Sequence, residues 1–471
     1  MKRTKGLVLL FVLALVVSLL PVYAGGGSQS GGAQGGGIPA ATGKFSWTMS
    51  SGETINVLFN QHPYADEIIK KIPDFEKLTG IKVQYSVIPE SNYFDKVTTQ
   101  LNSRSGDMDI FMTGPYQIWE YASAGYMQDL DEFLKNPAYI SDDFDVQDLF
   151  PSILNALRWD AKAGHLMGTG PLWGFPMGYE SNELVYNKRI FAEHNIKVPT
   201  NTDELLAAAK ALKGHSGPNT YGVALRGERG WATPITAYFS LYYSWGAKDF
   251  EVKNGKLSAV VNSPEAVAMT DWYVNLIKSG GSSTWGSATW YSSGAELGAG
   301  TAAMLIDSSQ NCFGQTVKGN SKEAENLVFT TIPVPRGKSL KSNLWVWAMA
   351  MNASSKKKVP AWLFMQYFTG KEYQQFASVD GRIVQTIRSS SFNQPAYQNI
   401  VSTSGFIDTF NGTVAGTTLL PTPQYHFFEI GTEWSATLQD LVEGKYASTQ
   451  QAMDALKKKL DDIVSDIEVT N

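Results

Sequence analysis

The chain has 471 residues, 39 Lys and Arg against 44 Asp and Glu, and a net charge of −5, a balance that argues against nucleic acid and anionic membranes as partners. Its single cysteine, Cys312, excludes an intrachain disulfide framework, so the fold must rest on its core. Only 18% of residues are charged, while 12% are aromatic, with 13 Trp and 21 Tyr. Such a surplus serves core packing. It also serves a carbohydrate site, where an aromatic ring packs on the C–H face of a sugar and polar groups meet its hydroxyls.

Lys2, Arg3 and Lys5 precede an apolar run over 7–20, and Val22-Tyr23-Ala24 supplies a small-x-small cleavage pattern. This predicts a secretory signal peptide over 1–24, too short and wrongly flanked for a membrane span. No later apolar run is long enough to cross a bilayer. The signal takes three basic residues and no acid with it, leaving 447 residues at net charge −8. That length suits two or three domains. Residues 25–44, rich in Gly and Ser, read as a flexible linker with nothing to bury.

An α/β pattern follows. "TINVLF" (54–59) predicts a strand, and Ile68, Ile69, Ile72, Phe75 and Leu78 predict a helix over 65–79 that stops at Gly80. "IKVQYSVI" (81–88) alternates as a strand, with Ile81, Val83, Tyr85 and Val87 on one face. A helix near 91–102 and a short strand, "DIFM" (109–112), complete a β-α-β-α-β order, which argues for a mostly parallel sheet covered by helices. Asn201, with Glu204 three residues on, caps a helix that Gly214 ends. Ser263-Pro264-Glu265 opens another, closed by Gly280. The last helix starts at Ser448 with Gln451 behind it and carries Met453, Leu456, Leu460, Ile463 and Ile467 as its apolar stripe.

The stretch "YGVALRGERGW" (221–231) sets two arginines beside two glycines and an indole. A phosphate cradle is disfavoured, because no Walker pattern is present and "GTGPLWG" (168–174) has the wrong spacing for a dinucleotide loop. Arg226 either donates to a ligand, with Trp231 stacking beside it, or pairs with Glu228 while Trp231 packs in the core. Arg229 is expected to be solvated. The five histidines form no HExxH motif, and there is no G-x-S-x-G elbow. No cofactor and no metal are expected.

The chain resembles bacterial extracellular solute-binding proteins of ABC importers, the family that includes maltose-binding protein. The resemblance rests on "FEKLTGIKVQYSVIPE", on "GFPMGYESNELVYNKRIFAEHNIKVPTNTDELLAAAKAL", on "NSPEAVAMTDWYVNLIKSGG" followed by "GAGTAAMLIDSS", and on "VWAMAMNASSKKKVPAWLFMQYFTGKEYQQFA". "YGVALRGERGW" and "SNLWVWAMAMNASSKKK" are most similar to the branch that binds sugar alcohols such as mannitol and sorbitol. Glu183 departs from the family pattern, which has a small residue before the apolar pair.

The resemblance implies an α/β, two-lobe periplasmic binding protein type II fold with the ligand cleft between the lobes. Lobe 1 is expected over 45–177 and 335–370, and lobe 2 over 178–331 and 371–471. The implied protein is a monomeric periplasmic or extracellular receptor that closes on a sugar or polyol and docks on an ABC permease. Service to a chemoreceptor is a further option. A polyol site pairs hydroxyls with Asp, Glu, Asn or Arg and packs the carbon chain on rings. On position, the expected ligand residues are Arg226, Trp231, Glu180 just after the crossing at Pro176, Asp307 at the end of "AAMLID", Trp345, Tyr116, Gln61, His62 and Arg382. Trp47, Trp285 and Trp290 are expected to be structural or to stand on the rim. The competing reading is a glycosidase-like enzyme with Glu180 and Asp307 as its two carboxylates.

Overall fold

In the computed structural model, which describes residues 37–40 and 43–470, two larger sheets take up nine strands. The expected signal peptide lies outside the described residues, as does most of the glycine-rich linker. In chain order the strands are β1 (Thr54–Asn60), β2 (Lys82–Ile88), β3 (Ile110–Thr113), β4 (Phe175–Glu180), β5 (Asn182–Asn187), β6 (Tyr221–Ala224), β7 (Ala302–Ser308), β8 (Leu327–Thr330) and β9 (Trp345–Met351). The first sheet has the order β2-β1-β3-β9-β4, with β1 parallel to β2 and β3, and β9 antiparallel to β3 and β4. The second has the order β8-β5-β7-β6, with only β6 and β7 parallel.

The helices follow the sequence signals closely. The helix α1 (Pro63–Thr79) starts with Pro63 behind the cap His62 and stops at Gly80, whose φ of 71° suits a residue without a Cβ. Next come α2 (Glu90–Ser103) and α3 (Pro115–Ser123). The cap of α4 (Thr202–Ala211) is Asn201, which accepts from Asp203 N and Glu204 N. The Glu204 carboxylate reaches back to Thr200 rather than to the cap residue, so the box closes one residue earlier than expected. Then follow α5 (Pro264–Gly280), capped by Ser263, and α6 (Trp290–Ala299). Near the end, α7 (Phe427–Val442) packs on α5 and α3, and α8 (Thr449–Ile463) packs on α7. Ile467 is buried past the end of α8 rather than on its stripe.

The strand at 82–88 forms as expected, but its apolar face reaches the core only at Ile81 and Val83. β2 is the edge of the first sheet, and Tyr85 remains 46% exposed. Period-two patterning reports a strand's faces, and the neighbours decide whether a face is covered.

Two crossings join the sheets. The chain leaves the first sheet at Glu180 and enters the second at Asn182, with only Ser181 between them. Past Thr330 it returns through 342–344 to Trp345. The crossings are sewn together: Asn182 N donates to Ser342 Oγ at 2.8 Å and Asn182 Nδ2 to the Asn343 carbonyl at 2.8 Å. Asn343 Nδ2 in turn donates to Tyr116 Oη at 2.6 Å and to the Ile235 carbonyl at 2.7 Å. Ladder pairing sets Glu180 against Trp345 in one sheet and Asn182 against Ser308 in the other. Four residues from two sheets thus converge where the chain changes sheet.

Candidate ligand site

A cavity opens at that convergence. It is lined by aromatic rings together with a few charged and polar side chains, the make-up of a small-molecule site. Both sheets and the loops after β1 and β6 contribute to its wall.

Aromatic rings make most of the wall. Trp345 and Trp347 lie two residues apart on β9 and therefore share a face, edge to face at 5.0 Å between ring centres. Trp231 stands 5.8 Å from Trp345. The imidazole of His62 lies 4.8 Å from Trp347 and 5.5 Å from Trp290, at the start of α6. Gly114 makes the seat for Trp345, since a Cβ there would lie 2.2 Å from the indole. Gly227 does the same for the Arg226 loop, which runs against the backbone of Trp285 at a distance no side chain would permit.

The polar groups are held from behind. Arg226 Nε donates to Asp307 Oδ2 at 2.8 Å and Nη2 to Oδ1 at 2.6 Å. Ser308 N donates to the same Oδ1 at 2.7 Å. This fork fixes the guanidinium and leaves Nη1 as the nitrogen Asp307 does not engage. Glu90, at the start of α2, accepts from Asn60 Nδ2 at 3.1 Å, and burial raises its pKa against the pull of Arg226. Burial also pushes the Glu180 carboxyl up to about 7, with Ser308 and Arg226 opposing.

His62 Nδ1 accepts from Tyr64 N at 3.4 Å, as the cap of α1, so the proton of the neutral ring sits on Nε2. Nε2 lies 3.5 Å from Glu180 Oε1. Burial, helped by Arg226, lowers the His62 pKa to about 3, so this contact is not an ion pair at neutral pH.

Several lining residues have a side-chain atom with no hydrogen-bond partner within the protein: Glu180 Oε1, Asn182 Oδ1 and Trp345 Nε1. Two are acceptors and one is a donor. A buried polar atom left unpaired costs about 1–3 kcal/mol, so three at one cavity call for a partner that both donates and accepts. A hydroxyl does both.

Five of the expected residues line this cavity: Arg226, Trp231, Glu180, Trp345 and His62. Four do not. Asp307 is 0% exposed and holds Arg226 from behind, its side chain turned to the guanidinium while its neighbour Ser308 lines the cavity. Tyr116 lies under Trp345, its ring 5.4 Å away and its hydroxyl taken by Asn343. The Gln61 side chain is exposed, and its carbonyl accepts from Tyr291 Oη. Arg382 is exposed with a φ of 57°, and its carbonyl accepts from Gln310. Glu228 does not pair with Arg226; that role falls to Asp307. With Asp307 occupied, the pair of free carboxylates at the cavity is Glu90 and Glu180.

Trp290, expected to be structural or on the rim, is part of the wall, as are Trp347, Glu90 and Asn182. Two of these carried a usable signal. The period of a strand places Trp347 beside Trp345, and Asn182 follows Glu180 across the crossing. Glu90 and Trp290 come from helix starts that only packing brings to the cavity.

The model for bacterial extracellular solute-binding proteins matches residues 60–375. The chain is 34% identical over 415 residues to an erythritol/L-threitol-binding protein of Mycolicibacterium smegmatis, covering 88% of this chain and 87% of that one. Its fold is similar to an ABC transporter solute-binding protein of Agrobacterium radiobacter K84 in complex with ribitol, with a TM-score of 0.77 and 22% identity over 88% of this chain and 99% of the other. It is likewise similar to one of Agrobacterium vitis S4 with bound D-mannitol, with a TM-score of 0.73 and 24% identity over 88% and 99% of the two chains. A two-lobe α/β frame, a cavity where the lobes exchange the chain and a family match over most of its length converge: this chain belongs to the bacterial extracellular solute-binding proteins, the binding components of ABC transporters rather than enzymes.

Proposed function

We propose that this chain captures a sugar alcohol in the cavity between its sheets and delivers it to an ABC permease, as a monomer secreted through its N-terminal signal. The carrying observation is the cavity's mixed set of unpartnered acceptor and donor atoms, on Glu180, Asn182 and Trp345, among tryptophan rings. A neutral linear polyol presents alternating hydroxyls to such atoms and its C–H edges to the rings. The relatives that bind erythritol, L-threitol, ribitol and mannitol support the same class. The two lobes of this reading follow the sheets. The first contains β1–β4 and β9, the second β5–β8, and their closure presents the docking surface. The glycosidase alternative falls with the family.

The test is a titration of the purified protein with erythritol, L-threitol, ribitol, mannitol and a disaccharide, followed by tryptophan fluorescence and calorimetry. Saturable binding to at least one linear polyol, with the ligand recovered intact, is the expected result. Glu180→Gln keeps the shape but loses a charge-assisted bond of about 1.5–3 kcal/mol, so affinity should fall roughly 10- to 100-fold. The melting temperature of the ligand-free variant should hold or rise, because a buried carboxyl of raised pKa is removed. Binding confined to the disaccharide, or to none of the panel, would sink the polyol reading.

A further inference from the structure

Gln61 was expected to reach the ligand through its side chain. The structure uses its main chain instead. Tyr291 Oη donates to the Gln61 carbonyl at 2.5 Å, beside the cavity-lining Trp290 and His62 that adjoin the two residues in the chain. Gln61 belongs to the turn between β1 and α1, in the first-sheet half, and Tyr291 to the first turn of α6, in the second-sheet half. Among the described residues, no other hydrogen bond joins that turn to α6.

The same tyrosine is coupled to the cavity wall. Its ring stacks on Trp290, with centres 3.6 Å apart, and Trp290 faces both the cavity and His62, the residue after Gln61. The far side of Trp290 is fixed by Asn311 Nδ2, which donates to the Trp290 carbonyl at 3.0 Å. Burial, with the carboxylates of Glu90 and Asp66 nearby, raises the phenol pKa, so the hydroxyl stays protonated and can donate at any physiological pH. Tyr291 is nonetheless 42% exposed at its outer side, where a residue of the core would be covered. A half-exposed tyrosine with its hydroxyl spent on the opposite half of the molecule is placed to hold a mouth shut.

We infer that Tyr291 is the latch of the closed form: its bond to the Gln61 carbonyl ties the two halves together and holds Trp290 against the bound ligand, setting how fast that ligand is released. The inference rests on the cavity being the ligand site. It makes Tyr291 a positioning residue that touches no ligand and acts through Trp290. A bond that ties the halves together with or without ligand inside resists opening, so its loss should speed dissociation and leave association unchanged or faster.

The test compares wild type with Tyr291→Phe, which keeps the stack on Trp290 and removes the hydroxyl. Stopped-flow tryptophan fluorescence with erythritol, ribitol and mannitol gives both rate constants. A net hydrogen bond of about 0.5–1.5 kcal/mol corresponds to a dissociation rate raised roughly 2- to 10-fold, with the association rate unchanged or raised. A structural defect would instead lower the melting temperature of the ligand-free protein, which should stay at the wild-type value. Small-angle scattering of the ligand-free protein reads the latch without any polyol: the variant should show a larger radius of gyration. If all three polyols are silent for both proteins while the scattering difference persists, the polyol reading fails and the latch stands. Equal dissociation rates, or equal scattering profiles where no polyol binds, would overturn the latch.

Discussion

Arg226→Ala is expected to abolish ligand binding and to destabilise the fold by about 3–5 kcal/mol, the usual cost of removing one partner from a buried ion pair. Asp307 is fully buried, and both its oxygens accept from the guanidinium. Without Arg226 that carboxylate keeps only the Ser308 amide, in a site that also contains Glu90 and Glu180. Three acids would then lie close together with no cation among them. The double variant Arg226→Met with Asp307→Leu separates the two consequences. Replacing a buried pair by apolar residues of similar size is often neutral or stabilising, so folding should return while binding does not. Thermal melts of the three proteins, with a polyol titration, check this. A single variant that melts with wild type would show that the pair does not hold the site.

The second large effect concerns Glu183. It sits on β5 opposite Asp307, fully buried, beside the crossing between the sheets. Ser181 Oγ donates to Glu183 Oε1 at 2.5 Å, and Oε2 has no partner. Gln385 ties the same Ser181 to the chain's later return: Ser181 N donates to Gln385 Oε1 at 3.1 Å and Gln385 Nε2 donates to Ser181 Oγ at 2.8 Å. Burial, with Glu180 adding repulsion, pushes the Glu183 carboxyl up to about 8. Asp307 and Glu180 are the neighbouring carboxyls, and burial raises the pKa of Cys312 with the Glu183 charge contributing.

An acid whose pKa is higher in the folded than in the unfolded chain holds its proton longer when folded. Between about 4.5 and 8 the native state therefore binds more protons than the unfolded state, and stability falls as pH rises through that window. Above 8 both states are ionised and the loss is complete. Glu180, pushed up to about 7, adds a loss of the same sign that ends sooner. Glu183→Gln removes the titration and leaves one amide group short of a partner. At pH 8.5 it should be more stable than wild type by about 2–4 kcal/mol, and near pH 5 the difference should vanish or reverse. Melting temperatures of the two proteins from pH 5 to 8.5 give the comparison. Parallel curves would mean that Glu183 is not the group responsible.

Several helix ends could be read locally because each announces itself within a few residues. Gly80 ends α1, Ser263-Pro264 opens α5, and Ser448 caps α8, whereas the His62-Pro63 start of α1 was not read, His62 having been expected at the ligand. The fold class and the likeness to solute-binding proteins were legible for the same reason, being carried by contiguous stretches. So were the chemical types needed at the site, and Arg226, Trp231, Glu180, Trp345 and His62 all reach the cavity wall.

Direction was not legible. Asp307 ends an apolar strand much as Glu180 does, yet one turns behind Arg226 and the other into the cavity, because the neighbouring strands differ. Tyr85 alternates correctly on a strand that no further strand covers. Glu90, Trp290 and Tyr291 stand about 200 residues apart in the chain and act at one mouth only because two sheets exchange the chain at Ser181 and again near Leu344. By itself the sequence determined the elements, their caps, the family and the kinds of side chain a polyol needs, all of which are local in the chain. Only the tertiary structure decided which carboxylate is free, which is spent on Arg226, and which tyrosine closes the mouth, because those depend on what lies across a gap that no sequence spacing records.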